Sequence, residues 1–148
     1  MDKFVVAESA GFCFGVSRSV KMADELIEQG GDCFCLGQLI HNDDVVNDLE
    51  RRGLHVIDKP EELPDGGHVI IRSHGVSSDI YGRLSKKSAV IFDATCPKVL
   101  RIHKLVREAT EEGRFVVIIG MKHHPEVEAI EGWCGGHIVA ENAAELAD

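Results

Sequence analysis

Cys13 and Cys96 are the two residues around which the chemistry of this chain is arranged. Cys13 lies in Gly11-Phe12-Cys13-Phe14-Gly15, and Cys96 lies far downstream in Asp93-Ala94-Thr95-Cys96-Pro97. Each follows a short apolar run that reads as a strand, residues 4–7 and 89–92, and each precedes an amphipathic run that reads as a helix. At the start of a helix the dipole favours a thiolate, so both positions suit reactive or metal-bound sulfur. Their matched placement favours a shared ligand role over two small residues that merely pack.

Three histidines, His41, His74 and His124, follow strand ends in the same way. Side chains presented there meet anions at helix N-termini, and three of them in an acidic chain point to an anionic ligand such as a phosphate. Glu126, two residues past His124, reads equally as a proton donor or as a first-turn glutamate favoured by the helix dipole. Asp93 and Thr95 either orient Cys96 or cap the helix that follows. Cys33 and Cys35 alternate on a strand and face one side, which suits packing better than a redox pair, because Cys-x-Cys on an extended strand fits disulfide geometry poorly. Cys134, beside Trp133, is a loop cysteine with no evident partner. His55, His68, His103, His123 and His137 read as structural or solvent-facing. With no Cys-x-x-Cys pair there is no zinc-ribbon signature, and two cysteines do not complete a four-cysteine site.

These side chains are positioned by a repeat. Gly30 and Gly113, Gly37 and Gly120, and His41 and His124 are each separated by the same step along the chain as Cys13 and Cys96. Residues 54–57 and 60–65 likewise resemble residues 136–139 and 143–148, with one residue inserted between the two segments. The expectation is two copies of one α/β unit, residues 1–83 and 84–148, the second incomplete. Simple repetition would put a third equivalent cysteine near residue 179, one further step of that length past Cys96 and outside this chain. Strands that alternate with helices predict a parallel sheet covered on both faces, with ligands held beyond the carboxyl ends of the strands.

Composition sets the remaining bounds. Of 148 residues, 44% are hydrophobic, enough for a core. A formal charge of −9 argues against non-specific nucleic-acid binding and requires any anion to be held by local donors. No secretory signal and no apolar run of membrane-spanning length is visible, which predicts a soluble, cytoplasmic protein without a membrane partner. Five cysteines in that setting favour metal or catalytic thiols over disulfides.

Taken in order, Gly11-Phe12-Cys13, Gly15-Val16, His41-Asn42 with Val45-Val46, Ser73-His74-Gly75-Val76-Ser77, Asp93-Ala94-Thr95-Cys96-Pro97 and His124-Pro125-Glu126-Val127-Glu128 resemble the N-terminal half of the 4-hydroxy-3-methylbut-2-enyl diphosphate reductases, the IspH/LytB family. The resemblance runs over nearly the whole chain. It implies part of a three-unit, trefoil-like α/β fold around a 4Fe-4S cluster held by one cysteine from each unit. It further implies an oxidoreductase of isoprenoid biosynthesis that cleaves the C–O bond of an allylic diphosphate, giving isopentenyl and dimethylallyl diphosphate, with electrons from a ferredoxin- or flavodoxin-type donor. Carried over by residue, Cys13 and Cys96 become cluster ligands, His41, His74 and His124 line the diphosphate or hydroxyl site, and Glu126 delivers the proton. The family's third cysteine and its C-terminal diphosphate contacts are missing from this chain. The alternative is therefore a non-catalytic apo fragment, an anion-binding α/β domain that lacks the third cluster ligand.

Overall fold

Val16, Val20, Ala23, Leu26 and Ile27 recur at helical spacing, and the computed structural model, which describes residues 4–146, places them on α1 (Phe14–Glu28). Chain order then gives β1 (Cys33–Leu36), α2 (Asp43–Arg51), β2 (Leu54–Ile57), β3 (His68–Ile71), α3 (Ser78–Lys86), β4 (Val90–Asp93), α4 (Pro97–Glu111), β5 (Val116–Ile119), α5 (Pro125–Glu131) and β6 (His137–Ala140). Single 3-10 turns at Pro60–Glu62 and Ala143–Leu146 follow β2 and β6. Asn42 caps α2, its side-chain oxygen accepting from the Val45 backbone N–H at 3.1 Å.

Four strands form one parallel sheet in the order β2-β1-β3-β4, and β5 and β6 form a separate parallel pair. Side-chain alternation along β1 divides the first core in two. Cys33 and Cys35 face α1 and α2 with Ala23, Leu26, Val46 and Leu49, whereas Leu36 packs on the opposite face with Val69, Ile71 and Leu84 of α3. Helices thus cover both faces, the arrangement a parallel sheet requires. Cys33 and Cys35 are structural, as expected: both are buried, and burial pushes the Cys35 thiol up to about 12.

The repeat holds at the level of elements, with one constant offset. Phe14 and Pro97 open α1 and α4, Cys33 and Val116 open β1 and β5, Leu54 and His137 open β2 and β6, and Pro60 and Ala143 open the 3-10 turns. The residue expected as an insertion between 139 and 143 is not needed, because β6 starts at His137 and keeps the same offset from β2 as the other elements. The matched segment's last two residues, Ala147 and Asp148, lie outside the described residues.

Three expectations are corrected. Residues 4–7 form no strand: Phe4, Val5 and Val6 are 96%, 90% and 79% exposed, since an extended segment becomes a strand only beside a neighbour and here none lies alongside. The first sheet also continues past residue 84, because β4 pairs with β3 in register (Ile71 opposite Asp93) and ends the first sheet rather than opening the second. On α4, where helical spacing predicts that Val99, Ile102, Leu105, Val106 and Ala109 face inward, Val99 and His103 are buried and Val106 is half-buried, whereas Ile102 and Leu105 are 37% and 54% exposed. A two-stranded sheet offers a narrow surface, so only one stripe of the helix is covered. Among the described residues no helix is long and apolar enough to cross a membrane.

Candidate metal and anion site

Cys13 precedes α1 with no strand before it, whereas His41, His74, Cys96 and the His124–Glu126 segment follow the carboxyl ends of β1, β3, β4 and β5. Cys13 and Cys96 are the N-cap residues of α1 and α4, both with extended backbones and neither engaging its side chain in a capping hydrogen bond. Cys13 is exposed and Cys96 half-buried. The two helix starts touch, for a Cβ added to Gly15 would stand 2.7 Å from Cys96 Sγ. Only glycine allows α1 to come this close to the second cysteine.

Contacts that sequence reasoning missed fix this approach. Ser19, buried on α1, has its Oγ 3.0 Å from the Ala94 carbonyl and 2.9 Å from the Gly15 carbonyl, its single proton shared between the two acceptors. Arg18 donates to the Thr95 and Asp93 carbonyls at 3.3 and 3.1 Å. Asp93 in turn accepts from the Thr95 backbone N–H at 2.9 Å and from the Tyr81 hydroxyl at 2.9 Å. Its role is therefore to hold the loop before Cys96. Arg18 and Ser19 stand one helical turn past Cys13, the one sequence signal that could have found them.

The loops after β1, β3 and β4 are joined backbone to backbone. Ser73 N–H donates to Leu39 O at 3.2 Å, and Cys96 N–H donates to Ser73 O at 2.9 Å. His41, His74 and Cys96 are thereby placed on adjacent loops in strand order. α5 docks on the same side, with Ser78 Oγ donating to Gly132 O at 2.7 Å and Trp133 Nε1 to Val76 O at 2.9 Å. That docking brings in the third histidine. Ring centroids lie 4.4 Å apart for His41 and His74, 5.5 Å for His41 and His124, and 5.8 Å for His74 and His124.

The histidines differ electrostatically. Burial, reinforced by His41, Arg72 and His124, holds His74 down to about 4, so it is neutral at physiological pH and acts through hydrogen bonds. Its Nδ1 is buried without a protein partner. His124 caps α5 by accepting the Glu126 backbone N–H at Nδ1, 3.2 Å away. An imidazole that accepts at Nδ1 carries its ring proton on Nε2, which leaves a donor for a ligand. Glu126 stands on the same first turn, half-buried. Arg72, two residues before His74, lies against Gly37, whose φ of +73° and missing Cβ make room for the guanidinium.

Two capping thiols with free sulfurs suit two ligands of an iron-sulfur cluster. Among the described residues no three His, Cys, Asp or Glu side chains are grouped to hold a metal ion. The fit is thus to part of a ligand set. Cys134 does not extend it, since its thiol donates to Ile130 O at 3.4 Å within the third apolar cluster, and burial raises its pKa.

The chain is similar to proteins already known. The family model described as LytB protein matches residues 4–148. The chain is 41% identical over 149 residues to the 4-hydroxy-3-methylbut-2-enyl diphosphate reductase of Thermoanaerobacter sp. (strain X514), covering 98% of this chain and 52% of that protein. It is 43% identical to the reductase of the same name from Aquifex aeolicus (strain VF5), covering 100% of this chain and 53% of that protein. The solved structure of the E-1-hydroxy-2-methyl-but-2-enyl-4-diphosphate reductase from Plasmodium falciparum superposes with a TM-score of 0.90 at 30% identity, over 95% of this chain and 45% of that one. A second structure, of an (E)-4-hydroxy-3-methyl-but-2-enyl diphosphate reductase described as the terminal enzyme of the non-mevalonate pathway, gives 0.82 at 44% identity, over 96% of this chain and 52% of that one. This chain spans about half the length of these relatives.

Proposed function

The chain belongs to the LytB protein family, and from that premise we propose that it forms the N-terminal half of a reductase acting on 4-hydroxy-3-methylbut-2-enyl diphosphate. The observation that carries this reading is a cluster of three histidine rings no more than 5.8 Å apart, with His74 on a loop bonded backbone to backbone to the helix-capping Cys96, against which Gly15, two residues past the helix-capping Cys13, packs. Thiolates suit iron, and imidazole donors beside an arginine suit a diphosphate.

Cys13 and Cys96 would hold a 4Fe-4S cluster together with a third ligand from outside this chain. The chemistry such a cluster would supply is single-electron reduction of the allylic C–O bond, with electrons from a ferredoxin- or flavodoxin-type donor. This chain's own residues bind and protonate. His74 stays neutral and offers hydrogen bonds without electrostatic conflict with its two histidine neighbours, while His124 donates from Nε2. Glu126 supplies a proton to the departing hydroxyl oxygen. The overall change consumes two electrons and two protons, breaks the C–O bond, and releases water with isopentenyl or dimethylallyl diphosphate. A cytoplasmic setting, with its supply of reduced electron carriers, completes the proposal.

The test is an anaerobic assay with reduced methyl viologen as electron source, on a protein of the relatives' length that carries this half. Glu126→Gln is expected to lower turnover by about 10²- to 10⁴-fold, the usual worth of a general acid, with cluster content unchanged. Turnover within twofold of the parent excludes Glu126 as the proton source. A second reading is favoured by the incomplete ligand set: on its own, the 148-residue polypeptide is an anion-binding α/β domain without a cluster.

A further inference from the structure

His103 lies on α4 nearly two turns beyond Cys96 and is 3% exposed, yet neither of its ring nitrogens has a hydrogen-bond partner. The Thr95 hydroxyl, in a fully buried side chain, is also unpartnered. Buried polar groups are almost always satisfied, so three such atoms in one neighbourhood require an explanation. The His103 ring and the Thr95 methyl both face Gly75. A Cβ on Gly75 would lie 2.6 Å from His103 Cε1, 3.5 Å from His103 Nε2 and 3.0 Å from Thr95 Cγ2. The imidazole is held from its other side by Trp133, stacked at 5.4 Å with an interplanar angle of 21°, and that indole donates to Val76 O.

The neighbours of these contacts give them meaning. Thr95 immediately precedes Cys96, and Gly75 immediately follows His74. We propose that His103 is a positioning residue for Cys96 and His74: its ring fills the space that Gly75 leaves open, and its nitrogens join the Thr95 hydroxyl through a bridging water. Water-mediated bonds of this kind approach direct ones in strength and satisfy groups that cannot reach each other. His103 thus ties the loop after β3 to the loop after β4 from beneath, while Arg18 and Ser19 hold the second loop from α1. Gly75, with φ +74°, is required because any side chain there would displace the imidazole.

The role of Cys96 as a ligand rests on the proposed function, but the tie between His103 and its loop does not, and the experiment reads the tie alone. Alkylation rates of individual cysteines in the 148-residue chain, followed by peptide mass spectrometry with iodoacetamide, report how firmly each is held. His103→Phe keeps the ring and its stacking but removes both nitrogens. Thr95→Val keeps the shape but removes the hydroxyl. Each is expected to speed alkylation of Cys96 about tenfold, within the range given by losing a buried hydrogen-bond partner. Cys13, exposed and outside this network, serves as the internal control and keeps its rate. The double variant should be no faster than either single one, because both remove the same bridge. His103→Gln, which restores a donor and an acceptor, should return Cys96 to within threefold of the parent. A Cys96 rate in His103→Phe within threefold of the parent overturns the proposal. So do multiplicative effects in the double variant, or a parallel rise at buried Cys33 and Cys35 that would signal general loosening.

Discussion

Leu36 and Ile119 end β1 and β5 at equivalent positions of the repeat, and their fates differ: Leu36 is 4% exposed and Ile119 is 64% exposed. Both sit on strands of similar apolar content. β1 has a partner on each side, β2 and β3, and helices on both faces, whereas β5 pairs with β6 alone. Burial of a strand is therefore decided by what lies beside and above it, not by its own sequence. The contrast extends to the helices, since α1 faces a complete sheet while α4 leaves Leu100 and Leu105 exposed.

The largest effect should come from truncating the two equivalent side chains. Leu36→Ala is expected to cost about 2–5 kcal/mol, as for a large aliphatic residue deleted from a packed core. Ile119→Ala should stay within about 0.5 kcal/mol, as at an exposed position. Urea unfolding of the two variants measures the difference, and equal losses would break the comparison.

Acid titration is the next largest. His74 is held near 4 in the folded chain against an ordinary 6.5, so the unfolded chain binds the extra proton first. Stability is then unaffected above pH 6.5, declines as pH falls from about 6.5 to about 4, and levels off for this group below that. His74→Asn should flatten that part of the curve, measured as the urea midpoint against pH. A slope unchanged by the substitution would place the acid sensitivity elsewhere.

The smallest effect sharpens the contrast between caps. α2 is capped by Asn42 and α5 by His124, both through a side-chain acceptor to a first-turn N–H. Asn42→Ala should cost about 1 kcal/mol, and Asn42→Asp should recover most of it. His124→Asn should hold α5 in place while removing the Nε2 donor, so stability is kept as phosphate affinity falls. Retention of both would show that His124 is only a cap.

Much of this was legible in the sequence because the repeat is written in residues whose backbone role is local. Glycines after strands and Pro97 and Pro125 at helix starts fix element boundaries through φ/ψ preferences, and Asn42 does so through its side-chain cap. What sequence could not supply depended on partners. Residues 4–7 are apolar enough for a strand but have no neighbour, and β4 carries no mark that it closes the first sheet. His103 looked like any other structural histidine, since its significance rests on contacts with Gly75 and Thr95, on two loops outside its own helix. Arg18 and Ser19 were hidden for the same reason, their partners Asp93, Ala94 and Thr95 lying in the other copy of the repeat.

The central claim is that the two repeat-related cap residues, Cys13 and Cys96, serve one metal centre. Its most direct test is iron and acid-labile sulfide per chain after anaerobic reconstitution of the 148-residue polypeptide, with dithiothreitol present to supply the missing thiolate. Iron and sulfide should be incorporated together, should fall to background in both Cys13→Ser and Cys96→Ser, and should persist in Cys134→Ser. No iron in the parent chain would favour the cluster-free second reading, and iron that survives either of the first two substitutions would contradict the claim.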